Sequence, residues 1–410
     1  MKGNRLTIYI MAGMVLGVIA GYVCHIMAPS PEAAQEYAGY FNVVTDVFLR
    51  LIKMIIAPLV FSTIVSGIAG TGDSAAVGRI GLKALGWFWV ASILSLLLGM
   101  VCVNVMQPGI GLSLPIPDVH ASSGISGKAM DVRTFIINIV PKSFFDAMAQ
   151  NSILQILVFS VFFGFALSAY RDQTGKDLIR IKMIQELAHV MLKVTDFVMR
   201  FAPFGVFAAI ASCITVEGLD VLVTYGKFIG GFYLSLFLLW TLLIGAGYVF
   251  LKGSIFRLLK LVKEPTILAF STASSEAALP MTMEQLERFG VKERISGFVL
   301  PLGYSFNLDG SMMYQAFAVI FIAQAYNIHL SLYQQFTLLV VMMITSKGIA
   351  GVARASLVVV AATLPMFKLP EAGLLLIMGI DQILDMGRTA TNVIGNSIAT
   401  AVIARWEGEV

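Results

Sequence analysis

Asp385, Arg388, Thr389 and Asn392 stand at helical spacing in one largely apolar segment near the end of a 410-residue chain. Residues three and four apart share a helix face, so a carboxylate, a guanidinium and a carboxamide project together, with the Thr389 hydroxyl beside them. An ionisable group inside an apolar span is expensive unless it is paired or hydrated, and by default it marks a functional site. Arg388 has two readings. One is an internal salt bridge to Asp385 or Asp381. The other, which the default favours, is a planar fork offered to a ligand carboxylate. A carboxylate-binding arginine beside an amine-attracting aspartate makes a face suited to a zwitterion.

Three other polar clusters interrupt apolar neighbourhoods in the same part of the chain: STASSEAALP at 271–280, YSFNLDGS at 304–311 and TSKGIAG at 345–351. With DQILDMGRTATNVIGN at 381–396 they make four expected interruptions. Irregular backbone at membrane depth persists only where protein or a wet cavity satisfies its N–H and C=O groups, so the four are expected to converge. Ser274 and Ser275, with free backbone N–H groups at a half-helix end, are suited to a carboxylate; ordinary Ser packing between helices is the plainer reading. Asn307 and Asp309 supply oxygens for a cation or simply brace a kink.

The elements that must carry these residues are membrane helices. The chain is 58% hydrophobic and 13% charged, with mean hydropathy +0.86, against about 25% charged in soluble domains. Spans of roughly 20 residues are expected near 6–27, 42–70, 82–106, 151–170, 188–213 and 224–251, the first being a retained helix rather than a cleaved leader. Lys and Arg placement puts the N-terminus inside, with Arg79, Lys83, Arg171, Lys176, Arg180, Lys182, Lys252, Arg257, Lys260 and Lys263 cytoplasmic. The long segment with Lys128, Arg133 and Lys142 is the exception. A net charge of +4 without basic runs excludes a nucleic-acid partner. Cys24, Cys102 and Cys213, and His25, His120, His189 and His329, are scattered without metal-ligand spacing, so no metal centre or cofactor is expected. After residue 254, a serine- or glycine-tipped segment followed by an interrupted helix occurs twice, the repeat pattern of a carrier site.

On these four motifs the chain closely resembles the dicarboxylate/amino acid:cation symporter family, the glutamate and aspartate transporters of bacteria, archaea and animals; the likeness covers nearly the whole chain and is sharpest at 265–406. The resemblance implies an all-α polytopic membrane protein with inverted repeats: eight transmembrane helices and two re-entrant hairpins, the second tipped by Gly348 to Val352. It implies a homotrimer in the bacterial cytoplasmic membrane, both termini cytoplasmic. Residues 1–253 would hold six helices, of which 1, 2, 4 and 5 form the trimerising scaffold; residues 254–410, with helices 3 and 6, would form an elevator-like transport unit. Asp385 would take the substrate ammonium, Arg388 its side-chain carboxylate, and Thr389, Asn392, Ser274, Ser275, Ser311, Gly351 and Val352 the remaining groups. A matching Asp at 385 points to aspartate or glutamate rather than a C4-dicarboxylate.

The chain departs from sodium-coupled members where they place oxygens. Asn396 replaces an aspartate, Phe88 and Ala91, beside Ser92, replace hydroxyl residues, and Ile349 replaces another. Glu276 meanwhile adds a titratable group where a serine is usual. A proton is therefore the expected coupling ion, with Glu276 as favoured carrier, Asp309 or Asp385 as alternatives, and Na⁺ at Asn307, Asp309 and Asn392 as the competing arrangement. Gln315 replaces the helix 7 glutamate of animal members. Val352-Ala353-Arg354 replaces Val-Pro-Gly, and Lys347 snorkels. An intramembrane enzyme using Asp381 and Asp385, an anion channel lined by Arg388, and a receptor without flux are the competing classes. Neither a nucleophile-base pair nor a metal set accompanies the two aspartates.

Overall fold

A computed structural model describes residues 3–71, 74–110, 137, 139–174, 178–219, 225–346, 355–378 and 380–410. Its regular elements are helical. In order they are α1 (Gly3–Met27), α2 (Pro31–Thr71), α3 (Ser74–Met106), α4 (Phe144–Ala149), α5 (Ile153–Thr174), α6 (Leu178–Met199), α7 (Ala202–Glu217), α8 (Gly226–Leu251), α9 (Ser254–Thr272), α10 (Ser275–Phe289), α11 (Glu293–Phe306), α12 (Asp309–Ala325), α13 (Leu332–Thr345), α14 (Ala355–Thr363), α15 (Leu374–Met378) and α16 (Asp381–Trp406). Among the described residues, four stretches are long and apolar enough to cross a bilayer: Ile8–Met27, Gly78–Met106, Gly226–Leu251 and Glu293–Ala325. The chain is a membrane protein by this measure.

Two packing groups emerge. α7 lies against α1 and α2, and α2 also packs on α5 and α6. Separately, α3 runs along α12, while α16 touches α8, α9, α11 and α12. The span expected at 188–213 is divided: α6 ends at Met199 and α7 begins at Ala202 with Pro203 in its first turn, where a missing N–H removes no intrahelical bond.

α12 and α16 form the centre of the second group. From Met386 to Ala404 every residue of α16 is buried, and α12 is buried along nearly its full length. The interruption expected at 381–396 is not one. The helix runs unbroken through all its polar residues, because these find partners within α16 or on neighbouring elements while the backbone ladder stays closed.

The other two described clusters do break. Between α9 and α10 the chain reverses at Ala273, whose φ of 48° is left-handed, and Ser274 caps α10 by accepting from the Ala277 N–H at 3.3 Å. Between α11 and α12, Asn307 and Leu308 leave the helix. TSKGIAG lies mostly outside the described residues, as do Lys347, Gly348, Ile349, Gly351, Val352, Ala353 and Arg354.

The last residues are tied down at one end of the molecule. Glu407 accepts from Arg79 (Nη2 2.9 Å, Nε 3.0 Å) and from Lys83 Nζ at 2.6 Å. Glu409 pairs with Arg294, whose Nε lies 3.0 Å from Oε2, and with Lys292 at 3.5 Å. Trp406 packs edge-on against Trp87 and Phe250. The C-terminus therefore sits at the same face as the starts of α3 and α11.

Candidate functional site

The site grows from α16. Arg388 is wholly buried (0% exposed), with Nη1 3.0 Å from Asp381 Oδ1 and Nη2 2.8 Å from Asp385 Oδ1. Nε donates to the same Asp385 oxygen at 3.1 Å. The guanidinium lies 4.1 Å from the Tyr314 ring centroid, a cation–π contact, and the Tyr314 hydroxyl donates to Asp381 Oδ1 at 3.3 Å. The two terminal nitrogens are in ion-pair range but make no aligned hydrogen bond, so donor capacity remains for a ligand carboxylate. Asp385 is 24% exposed where Asp381 is 1% exposed: one carboxylate is sealed in, the other is partly accessible.

The internal salt bridge, the first reading of Arg388, is present, and it holds the fork oriented. Asp381 was legible as a salt-bridge partner, since it lies four residues before Asp385 on the same face; Tyr314 and its stacking had no signal in the sequence. α16 is held in rotation by two bonds to α8. Tyr233 donates to the Ile383 carbonyl at 2.6 Å, and Trp240 Nε1 donates to Thr391 Oγ1 at 2.8 Å.

Asn392 is occupied by the start of α12. Its Oδ1 accepts from the N–H of Gly310 at 2.9 Å and of Ser311 at 3.4 Å, and its Nδ2 donates to Ser311 Oγ at 3.2 Å. No side chain of its own caps α12, so a residue 82 positions away satisfies its orphan donors. Gly310 permits the approach: a Cβ there would lie 2.5 Å from the Arg388 carbonyl. Thr389 is buried beside Arg388.

The helix break is a closed cluster. Asn307 Nδ2 donates to Asp309 Oδ2 at 3.1 Å and to Asn396 Oδ1 at 3.3 Å, while Asn396 Nδ2 returns a bond to the Asn307 carbonyl at 3.2 Å. All three residues are buried, and Asn307 Oδ1 has no hydrogen bond. Phe88 of α3 is buried next to Gly303, its Cζ 3.4 Å from where a Cβ would stand, so a phenyl ring borders this cluster. Ala91, Ser92 and Gln315 are also buried.

The α9–α10 tip reaches the same region. Ala269 of one arm and Ala278 of the other enclose Val393, the residue after Asn392; the tip lies about one helical turn beyond Ala278. Ser274, Ser275 and Glu276 are each half-buried there. Ser274 spends its oxygen on the cap. Among the described residues, no group of three His, Cys, Asp or Glu side chains is arranged to hold a metal.

The profile of the sodium:dicarboxylate symporter family matches residues 6–406. The chain belongs to that family. Its relatives include proteins named proton/sodium-glutamate symport protein from Bacillus caldotenax and from Geobacillus stearothermophilus, each 42% identical over 407 residues, which is 98% of this chain and 94% of theirs. A protein named C4-dicarboxylate transport protein from Solibacter usitatus is 40% identical over 415 residues, covering 99% of this chain and 93% of its own. Family membership makes the chain a transporter rather than an enzyme. Identities of 42% and 40% do not separate the two substrate classes, so the distinction falls to individual side chains.

Proposed function

We propose that the chain takes up acidic amino acids, glutamate or aspartate, by proton-coupled symport across the bacterial cytoplasmic membrane. The observation that carries the reading is Asp385, partly exposed and 2.8 Å from the buried Arg388. An incoming amino acid exchanges this one internal pair for two, its side-chain carboxylate on Arg388 and its ammonium on Asp385. A dicarboxylate displaces Asp385 and leaves it facing a second anion. The serine-capped tip of α10 supplies backbone N–H groups for the remaining carboxylate, and Thr389, Asn392 and Ser311 supply the other polar contacts. Gly351 and Val352 complete the proposed substrate-binding set.

Proton coupling is supported by the cluster around Asn307. A Na⁺ ion needs oxygen ligands, yet the Asn307 carbonyl already receives an N–H from Asn396 and α3 brings Phe88 where an oxygen would help. Glu276, half-buried at the tip, is the favoured proton carrier, with Asp309 and Asp385 as alternatives. Na⁺ held by Asn307, Asp309 and Asn392 is the competing arrangement, since Asn307 Oδ1 is unbonded. The chain works as a homotrimer of eight spans and two re-entrant hairpins with both termini cytoplasmic. Residues 254–410 with helices 3 and 6 move as the transport unit against the scaffold.

The test is uptake of labelled glutamate and aspartate into proteoliposomes under an inward pH gradient, with and without sodium. Uptake that needs the pH gradient, ignores sodium, stops with a protonophore and is lost in Arg388→Ala is expected. A strict sodium requirement overturns the coupling assignment, and transport of succinate without amino acids overturns the substrate assignment.

A further inference from the structure

α8 and the start of α9 enclose an apolar groove of about 470 Å³. On α8 its wall is Phe237, Trp240, Thr241, Ile244, Gly245 and Tyr248, a stripe at helical spacing. Phe256 of α9 closes one end, its ring centroid 6.3 Å from that of Tyr248. α8 is one of the membrane-spanning stretches, and Phe237, Tyr248 and Phe256 are exposed, so the groove opens toward the bilayer. Its deeper polar atoms are already used: Thr241 Oγ1 donates to the Phe237 carbonyl at 2.9 Å, and Trp240 Nε1 donates to Thr391 Oγ1 at 2.8 Å. Gly245 adds room, since a Cβ there meets nothing within 4 Å. From Phe237 to Tyr248 the groove follows about 16 Å of helix, close to the depth of one leaflet, about 15 Å. Past its Tyr248–Phe256 end the surface turns basic. Lys252 lies one turn after Tyr248 and Lys260 one turn after Phe256; both are exposed, and the first turn of α9 carries no acidic residue.

We propose that this groove binds an anionic glycerophospholipid, one acyl chain lying along α8 from Phe237 to Phe256 and the phosphate held at Lys252 and Lys260. An apolar trough one leaflet deep with cations at a single end is complementary to that molecule in both length and charge. The Tyr248 ring stands at the junction of the two parts, where an aromatic body with a polar tip is well placed. Arg257 is turned elsewhere: its Nη2 donates to the Arg288 carbonyl at 3.1 Å, and its guanidinium lies over Phe289. The acyl chain packs on the ring of Trp240, whose N–H holds Thr391, the residue before Asn392 on α16. The bound lipid therefore braces the helix that carries Asp385 and Arg388. None of this depends on which substrate or coupling ion the chain carries.

The experiment measures quenching of tryptophan fluorescence by lipids brominated on the acyl chain, with the full chain in phosphatidylcholine vesicles. The Trp240 contribution is the difference between the full chain and Trp240→Phe, and thermal unfolding of each variant is the fold control. Brominated phosphatidylglycerol is expected to reach half-maximal quenching of Trp240 at a membrane fraction about 25-fold lower than brominated phosphatidylcholine, about fivefold for each lysine. The double variant Lys252→Gln, Lys260→Gln brings the two lipids together. Gly245→Phe fills the trough and weakens quenching by both, with the melting temperature kept, because the added ring enters open space. Should Gly245→Phe melt early, the lysine pair on the exposed surface still decides. Equal quenching of Trp240 by the two lipids in the full chain means ordinary bilayer contact and overturns the proposal. So does a phosphatidylglycerol preference that survives loss of both lysines, and so does a Trp240 that neither lipid quenches, as when a second protein surface covers the groove.

Discussion

Asp385→Asn isolates the charge that separates an amino acid from a dicarboxylate. The variant keeps shape and polarity, and Arg388 keeps its Asp381 partner at 3.0 Å and its stacking on Tyr314, so the carboxylate-binding fork survives. What is lost is the proposed partner of the substrate ammonium. Truncating one member of a close, desolvated charge pair costs about 2–5 kcal/mol; because Asp385 is 24% exposed, the lower end applies, about 2 kcal/mol, or roughly 30-fold in affinity. For succinate the sign reverses. Removing a carboxylate that would face the ligand's second anion relieves about 1 kcal/mol of repulsion, roughly fivefold. The glutamate-to-succinate preference should therefore fall by about two orders of magnitude. Competition of unlabelled succinate and glutamate against labelled glutamate in proteoliposomes reads this ratio directly. A ratio within about threefold of the parent protein would mean that the ammonium is held elsewhere.

Three further outcomes follow from particular contacts. Asn396→Asp replaces the N–H that fills the Asn307 carbonyl at 3.2 Å with an oxygen beside Asp309, and uptake or thermal stability should then respond to added sodium, absent in the parent. Glu287, beside the α10–α11 turn, is pushed up to about 7 by burial and then by Glu293. Its folded pKa is raised, so its contribution is fully present below the ordinary carboxylate range and is lost as pH rises through about 7; Glu287→Gln should melt higher than the parent at pH 8 and equally at pH 4. Glu407 is shifted the other way, lowered by its hydrogen bond from Arg79 and then by Lys83. Its contribution is present above the unfolded value of about 4.3 and is lost as pH falls through the folded one. Glu407→Gln should therefore melt below the parent at pH 7, with the gap closing under acid, as thermal unfolding in detergent would show.

What the sequence made legible was set by local rules. Apolar runs marked the helices, NLDG marked the backbone break before α12, and the three- and four-residue spacings placed Asp385, Arg388 and Asn392 on one face. The polar stretch from Asp381 to Asn396 misled for a physical reason. A polar residue breaks a helix only if its backbone must find new partners, and here the polar side chains pair with one another along α16, with Trp240 of α8 and with the chain around the start of α12, which composition cannot reveal. The division between α6 and α7 was signalled only by Pro203, easily taken for a tolerated kink. Asn392 capping α12 and Tyr314 under Arg388 are contacts between positions far apart in the chain, set by how α12 and α16 cross.

The charges gathered around that crossing explain why the substrate cannot move alone. Among the described residues Arg388 is one buried cation against the carboxylates of Asp381, Asp385 and Asp309, two of which are fully enclosed. Charges removed from water carry effective penalties of several kcal/mol each unless neutralised, and the proposed substrate, with two carboxylates and one ammonium, would deepen the negative imbalance on arrival. Exchange of partners at Arg388 and Asp385 rearranges this charge without reducing it. Loading therefore requires a positive charge to enter with the substrate, as a cation among oxygens or as a proton on a carboxylate. Under the proposed proton coupling Glu276 at the α9–α10 tip would take up that charge as a proton, because around Asn307 the amide of Asn396 already supplies donor hydrogens.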